Sequence, residues 1–524
     1  MSSKRLIKAT SAVAICCAIL STMVLGQTTT VRDPGVRGGP AGGGTPVVGI
    51  NHNELAMFQE GLKRATELES TCDGCSDITP GSDTGEDFFL QTLTNSAGLG
   101  ARFNGDSCMV CHSQPAIGGS GGFLVPNPKD VKRGLPARPA ENPSFDLIPH
   151  RNGQTNVVPS FITRFGPIRE VRFAFQRDGN GRVTSTPDGG VHQLWTIVGR
   201  DTNTDGRDDP VLRQCTNAKL PQPNFEREVR DHNIAFRIPL QLFGLGLIDS
   251  IDDREILARH DATADRRADF GIAGVPNRSG NDGTITRFGW KAQNKSLTVF
   301  AGEAYNVENG VTNELFPQAT ADLFECNGSQ KPHPNDITRT ADDDAENEAF
   351  TNPLHLLADW MQFTLFMRFL DAPQPAPLSQ SAQAGRANFD AVGCTLCHTP
   401  QMKTAARMGG GGALENKEVN LYSDLLTHHM GANLADNISQ GLAGPDEFRS
   451  QPLWGVGQRR FFLHDGRTDN LITAIQAHAS AATAANPTLR TPAFGPSEAN
   501  ASVARFNSLS TRDKQSIIDF LRAL

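Results

Sequence analysis

The chain has 524 residues, of which 38% are hydrophobic and 20% charged, with a formal net charge of -8 and a pI near 5.9. That length exceeds one ordinary core, so two domains are expected. No basic tract is present, so nucleic acid is not an expected partner.

Lys4, Arg5 and Lys8 precede the apolar run SAVAICCAILSTMVLG, which ends at Gly26. A positive segment followed by an apolar one predicts a signal peptide over residues 1–26, too short for an ordinary membrane span. An uncleaved anchor is the alternative. The mature chain is then expected in the periplasm without a membrane span. Residues 27–48 include DPGVRGGPAGGGTPVV and read as a flexible linker. Leu55, Phe58 and Leu62 recur at helical spacing and predict a helix over 51–68. Turn signals such as DGNG and TDGRDD make residues 113–235 long loops with a few strands. PLHLLADWMQFTLFMRFL (353–370) predicts a helix opening at Pro353, and the proline-rich DAPQPAPLSQSAQ follows it. The boundary is placed there, giving an N-terminal domain over 49–372, a linker over 373–384 and a C-terminal domain over 385–524. Ser508 or Ser510 is expected to cap a final helix.

Ten cysteines are present, and Cys16 and Cys17 lie in the apolar run, which leaves eight for the exported chain. Six form C-x-x-C pairs. Cys72-Asp73-Gly74-Cys75 is followed by Ser76; disulfides among Cys72, Cys75, Cys215 and Cys326 are expected, with the pairing open. Cys108-Met109-Val110-Cys111 and Cys394-Thr395-Leu396-Cys397 are each followed by histidine, His112 and His398. Two cysteines three apart lie on one face of a helical turn, where they can add to the two vinyl groups of one haem. The next histidine then reaches the iron. A zinc site would need a second ligand pair, and a redox dithiol needs no histidine. Two covalent c-type haems are therefore expected, with His112 and His398 as axial ligands. The surroundings repeat as well. FNGDSCMVCH (103–112) matches FDAVGCTLCH (389–398), and FRIPLQLFGLG (236–246) echoes FRSQPLWGVG (448–457). Two copies of one module is the economical reading.

These modules, with PLWGVG-x-x-RFFLHDGR-x-x-x-LITAIQAH, RFGWKA (287–292), GLGLI (244–248) and YSDLL before H-x-M-G (422–431), resemble the bacterial di-haem cytochrome c peroxidase superfamily, in its di-haem oxidoreductase branch. The likeness extends over about 85–524. It implies a mainly α fold of two cytochrome c-like haem domains, with long loops and a few short strands in the insertion of the first. It also implies an oxidoreductase that reduces hydrogen peroxide at the N-terminal haem. Electrons would enter at the C-terminal haem from a small periplasmic donor, a cytochrome c or a cupredoxin. In the peroxidases a methionine fourteen residues after the HDG histidine ligates the electron-transfer haem. Here His478 stands fourteen after His464, which implies a His398/His478 pair. Met430, His428 and His429 compete for that place. NVENGVT puts the peroxidase glutamate on Glu308, and RFGWKA puts the inter-haem tryptophan on Trp290, or Phe288 if the match slips by two. His232 stands where a distal histidine is expected, although a surface histidine is equally natural in VRDHN. The peroxidases also bind calcium. DTNTDGRDD (201–209) begins like a calcium loop, but Leu212 stands where an EF-hand has glutamate; a solvated acidic turn is the commoner outcome. Trp195, Trp360 and Trp454 read as core residues. Three rival functions stay open: oxidation of an organic or protein substrate, oxygen insertion, and plain electron transfer.

Overall fold

The computed structural model describes residues 30–66, 68–70, 95–97, 99–122, 142–146, 156–196, 221–317, 357–406 and 412–524. The signal segment, Cys72, Cys75, Cys215, Cys326, the 201–209 loop and Pro353 lie outside the described residues. Within them the chain is mostly helix and loop, with six two-stranded sheets.

The helix His52–Thr66 realises the predicted apolar stripe and packs against Asp359–Phe369. The latter buries Trp360, Phe363, Phe366, Met367 and Phe369, and its other face meets Leu297–Glu308. It begins at Asp359, after extended backbone at Ala358. An acidic residue in the first turn suits the positive helix end. The last helix, Thr511–Ala523, is capped by Ser510, whose Oγ accepts from the Asp513 N–H at 3.2 Å; Ser508 ends the preceding helix. Strands are not confined to the first half as expected. Thr427–His429 pairs antiparallel with Glu447–Arg449, just as Glu170–Phe173 pairs with Ile234–Arg237.

The sequence repeat has a backbone counterpart. Gly244 and Gly455 both adopt left-handed φ, +66° and +72°, where each chain turns into a helix. Two residues on, a Cβ on Gly246 would stand 1.8 Å from the Arg368 carbonyl oxygen, and one on Gly457 2.1 Å from that of Arg522. Earlier in each half the pattern recurs. A Cβ on Gly61 would stand 2.3 Å from the Gln362 carbonyl, and one on Gly385 1.8 Å from that of Ser516. Both helix pairs therefore cross at backbone contact through glycine.

The halves are also locked together. The largest apolar cluster contains Phe58, Phe243 and Phe366 from the first half, and Met402, Leu421, Leu426 and Trp454 from the second. Residues 33–47 are not the free linker that their composition suggests. Arg37 N–H donates to the Gly457 carbonyl, and Val47 N–H to that of Phe369, both at 2.8 Å. Asp33 pairs with Arg522 at 2.7 Å, both side chains buried. Gly42, Gly43 and Gly44 sit in close packing, a Cβ on Gly42 standing 2.8 Å from the Gln374 carbonyl oxygen, whereas Gly35, Gly38 and Gly39 face open space. No described helix is long and apolar enough to cross a membrane.

Because Gly385 meets backbone, a methyl group there must push two helices apart. Gly385→Ala is expected to cost about 1–3 kcal/mol of stability, as other overpacking changes do. Urea unfolding checks this; an unchanged midpoint would show that the helices re-space freely.

Candidate active site

Each C-x-x-C-H stretch is shaped by local backbone. Ser107 Oγ accepts from the Met109 N–H at 3.3 Å and starts the short helix Cys108–Cys111. Gly393, at φ +93°, starts the turn carrying Cys394 and Cys397; a Cβ there would lie 2.1 Å from the Phe270 ring. None of these four cysteines is in a disulfide. His112 Nδ1 lies 3.2 Å from the Gly119 carbonyl oxygen and His398 Nδ1 3.1 Å from that of Tyr422. A carbonyl only accepts, so Nδ1 carries the proton in both rings and Nε2 keeps a lone pair. Burial pushes both down to about 4, with the charge of nearby His478 adding to the effect at His398. Neutral imidazole with a fixed tautomer is the form that binds a metal.

Cys394, Cys397, His398 and His478 line one cavity. His478 follows the helix Leu471–Ala477, and its Nδ1 donates to the Ala474 carbonyl at 2.7 Å, leaving Nε2 free as well. Among its rivals, His428 has both nitrogens engaged. Nδ1 meets Glu498 at 2.8 Å and Nε2 meets Asp424 at 3.1 Å. Burial opposes its charge, but Cys397 and Asp424 override that, and its pKa is well above the usual value. An imidazolium has no lone pair to offer iron. His429 is half-exposed and turns to Asp446 at 3.3 Å. Met430 reaches the cavity with His478.

The second cavity is lined by Cys108, Cys111, His112, Glu170, Arg172, Arg237, Trp290 and Glu308. Glu308 closes the helix Leu297–Glu308, which Ser296 caps. Its carbonyl accepts from Asn104 N–H at 2.7 Å, and Gly100 N–H donates to the Asn309 carbonyl at 2.8 Å. Gly310, at φ +74°, lets the chains cross: a Cβ there would stand 2.1 Å from the Arg102 carbonyl oxygen. The segment entering Cys108 is thus zipped to the helix end bearing the acid. Asn104 Nδ2 donates to Glu308 Oε2 at 2.8 Å. Burial pushes the Glu308 carboxyl up to about 8, and the charge of Glu170, hydrogen-bonded to it, adds to this. Glu170 goes the other way. Burial would raise it, but Arg172 and Arg237 hold it below the usual carboxylate value. The pair keeps one proton, on Glu308.

Trp290 lines both cavities. Its backbone carbonyl accepts from Arg449 N–H at 2.9 Å, and its indole N–H donates to the Ile238 carbonyl at 2.9 Å. Phe288 belongs to the large apolar core and lines neither cavity. His232 is a correction to the expected grouping. It is exposed at a left-handed turn and lines neither cavity. Its neighbour Asn233 turns inward instead, bonded to Glu228 and Phe175 at 2.8 Å. Trp195 and Trp360 are core residues; Trp454 is buried but lines the His398 cavity. Glu170, Arg172 and Arg237 escape the sequence reading. Glu170 and Arg172 sit in EVRF, whose strand alternation carries no chemical signature; Arg237 at least lies in the repeated FRIPL motif.

Both cavities fit a haem. Each presents two cysteines outside any disulfide and a neutral histidine. The His398 cavity holds about 1500 Å³ of space, its open mouth included, and the His112 cavity about 1030 Å³. Among the described residues no group of three or more His, Cys, Asp or Glu side chains is arranged to hold a bare metal ion.

The family model described as "di-haem oxidoreductase, putative peroxidase" matches residues 182–524. That stretch contains Trp290, Glu308, Cys394 to His398 and His478, and begins after Cys108 to His112. No curated protein matches the chain. With its model spanning well over half the sequence, the chain belongs to the di-haem oxidoreductase family.

Proposed function

We propose that this is an exported, periplasmic di-haem c-type peroxidase with haem domains over 49–372 and 385–524. The observation that carries the reading is the Glu170–Glu308 pair in the cavity of Cys108, Cys111 and His112, with Trp290 in the wall shared with the other cavity. Thioether bonds would form at Cys108 and Cys111 and at Cys394 and Cys397. His112 would ligate one iron, and His398 with His478 the other. The haem on His112 would supply an iron able to take up peroxide and electrons.

The protein's part is proton handling and insulation. Glu308, neutral at pH 7, is oriented by Asn104 and donates toward Glu170, which Arg172 and Arg237 keep ionised. Cleavage of peroxide needs one proton removed from the near oxygen and one delivered to the far oxygen. A pair of carboxyls holding one proton can take up a second and return it without involving bulk water. The electrons would come from a small donor protein docking near the C-terminal haem and pass by Trp290. A His398/His478 pair would hold that haem at a lower potential than histidine and methionine would.

Variants, pH dependence and spectra check this reading. Glu308→Gln should cut peroxide turnover by ~10²-fold or more, as loss of a general acid–base does; unchanged turnover would remove Glu308 from the mechanism. Wild-type kcat/KM should fall as pH rises through about 8, where Glu308 loses its proton. Because Glu170 helps hold that pKa up, Glu170→Gln should move the alkaline limb to lower pH, and an unmoved limb would mean the two acids titrate independently. His478→Met should raise the midpoint potential of the C-terminal haem, read by spectroelectrochemistry; no change would point to Met430 as its ligand. If both haems of the wild type are low-spin in every redox state and unmoved by peroxide, the protein is an electron carrier.

A further inference from the structure

The His398 cavity has a second feature that its iron ligands do not use. Arg449 Nη1, Arg459 Nη2, Gln451 Nε2 and Trp454 Nε1 are buried, lack any hydrogen-bond partner, and belong to residues lining this cavity. All four are N–H donors. Ser502 Oγ, in the same lining, is also unpartnered and can donate. A buried donor without an acceptor is costly, and a buried cation without a counter-charge more so. Arg449 has the Gly289 carbonyl on Nε at 3.1 Å and Gln451 Oε1 on Nη2 at 2.5 Å. Arg459 has only the Phe461 carbonyl, on Nε at 2.9 Å, with its guanidinium 5.8 Å from the centre of the Trp290 ring. Neither guanidinium has a carboxylate within ion-pair distance among the described residues. So many converging donors call for an anion with several acceptor oxygens, and two arginine forks suit carboxylates.

We infer that Arg449, Arg459, Gln451 and Trp454 form a cradle for the two propionate carboxylates of the porphyrin bound through Cys394 and Cys397. A porphyrin carries its two carboxylates on the edge away from its vinyl groups. A cavity that takes the vinyl edge at the thiols therefore needs anion donors elsewhere on its lining. The cradle also answers why four polar groups persist in a lining otherwise rich in leucine, valine and phenylalanine. Arg459 makes it more than an anchor. The residue that neutralises a carboxylate also lies against the face of Trp290, so the charge balance of the C-terminal haem reaches the wall between the cavities. This inference rests on the reading that the cavity holds a covalent haem.

The test uses the holoprotein. Haem content at Cys394 and Cys397 is first counted by mass spectrometry of proteolytic fragments; no haem there would overturn the haem reading and the cradle with it. With haem present, the midpoint potential of each haem is followed by spectroelectrochemistry in wild type, Arg449→Gln, Arg459→Gln and Arg459→Lys. Loss of a buried positive charge beside the propionates disfavours the reduced iron. Each Arg→Gln change is expected to weaken reduction of the C-terminal haem about tenfold, a shift of about 59 mV for one electron. The His112 haem should hold its potential, and Arg459→Lys should recover most of the loss. Should an arginine variant fail to load haem, Gln451→Leu and Trp454→Phe keep the charge and should shift the potential in the same direction, by less. Unchanged potentials across the loaded variants would overturn the cradle. So would a wild-type potential that follows added acetate saturably, because the donors would then serve a free carboxylate and not the propionates.

Discussion

The site depends on one backbone crossing. Residues 100–105 lie against the end of the Leu297–Glu308 helix so closely that neither Gly100 nor Gly310 leaves room for a Cβ. Hydrogen bonds from Gly100, Asn104 and Gly105 to the carbonyls of Glu308 and Asn309 seal the contact. Without it the acid and the cysteines, about two hundred residues apart in sequence, would have no reason to share a cavity. With it, one segment enters Cys108 and also orients the Glu308 carboxyl through Asn104. Gly310 is therefore a structural demand of this crossing: only a residue free to adopt φ +74° without a side chain allows the two segments to cross.

The two ends of the wall between the cavities are built by different means. On the His112 side the chain concentrates charge, with Glu170, Arg172, Arg237 and Glu308 arranged so that one proton is shared. On the His398 side it concentrates aromatic and aliphatic surface, broken by the arginines. Behind both stands a buried ionic frame. Arg237 and Lys291 pair with Asp436 at 2.7 and 3.1 Å, and Arg267 with Asp424 at 2.7 Å. Breaking one member of such a pair is far more damaging than its net contribution suggests. The frame fixes the strand Ile234–Arg237 and the RFGWKA turn to the second half of the chain, which keeps Trp290 in place.

Much of this was legible in the sequence, for identifiable reasons. C-x-x-C-H states its geometry in five residues, and the structure sets each copy in a cavity. The repeat was visible because glycines at tight crossings, Gly244 with Gly455 and Gly246 with Gly457, must recur wherever the crossing recurs. Trp290 and Glu308 were singled out through motifs; Glu308 lines the cavity of Cys108, Cys111 and His112, and Trp290 lines both cavities. Other features are produced only by folding. Nothing in EVRF says that Glu170 will face Glu308, because the contact joins residues far apart in sequence. The strap over 33–47 looked mobile because composition records local freedom and not the hydrogen bonds that Gly457 and Phe369 supply. His232 was misplaced for a similar reason: adjacent polar residues, His232 and Asn233, compete for the inward position, and only the amide can bridge Glu228 and Phe175.

The indole of Trp290 has a further consequence on the proposed reading. A ring that gives up an electron becomes a much stronger acid at its nitrogen. The partner of that N–H is the Ile238 carbonyl, which has no useful affinity for a proton. An oxidised Trp290 would be unable to settle into a neutral radical by shedding its proton. It would stay charged, next to Arg459, and discharge only by taking an electron back. Such a residue cannot store an oxidising equivalent; it can only be a momentary stepping stone, so any long-lived oxidising power must reside elsewhere in the molecule.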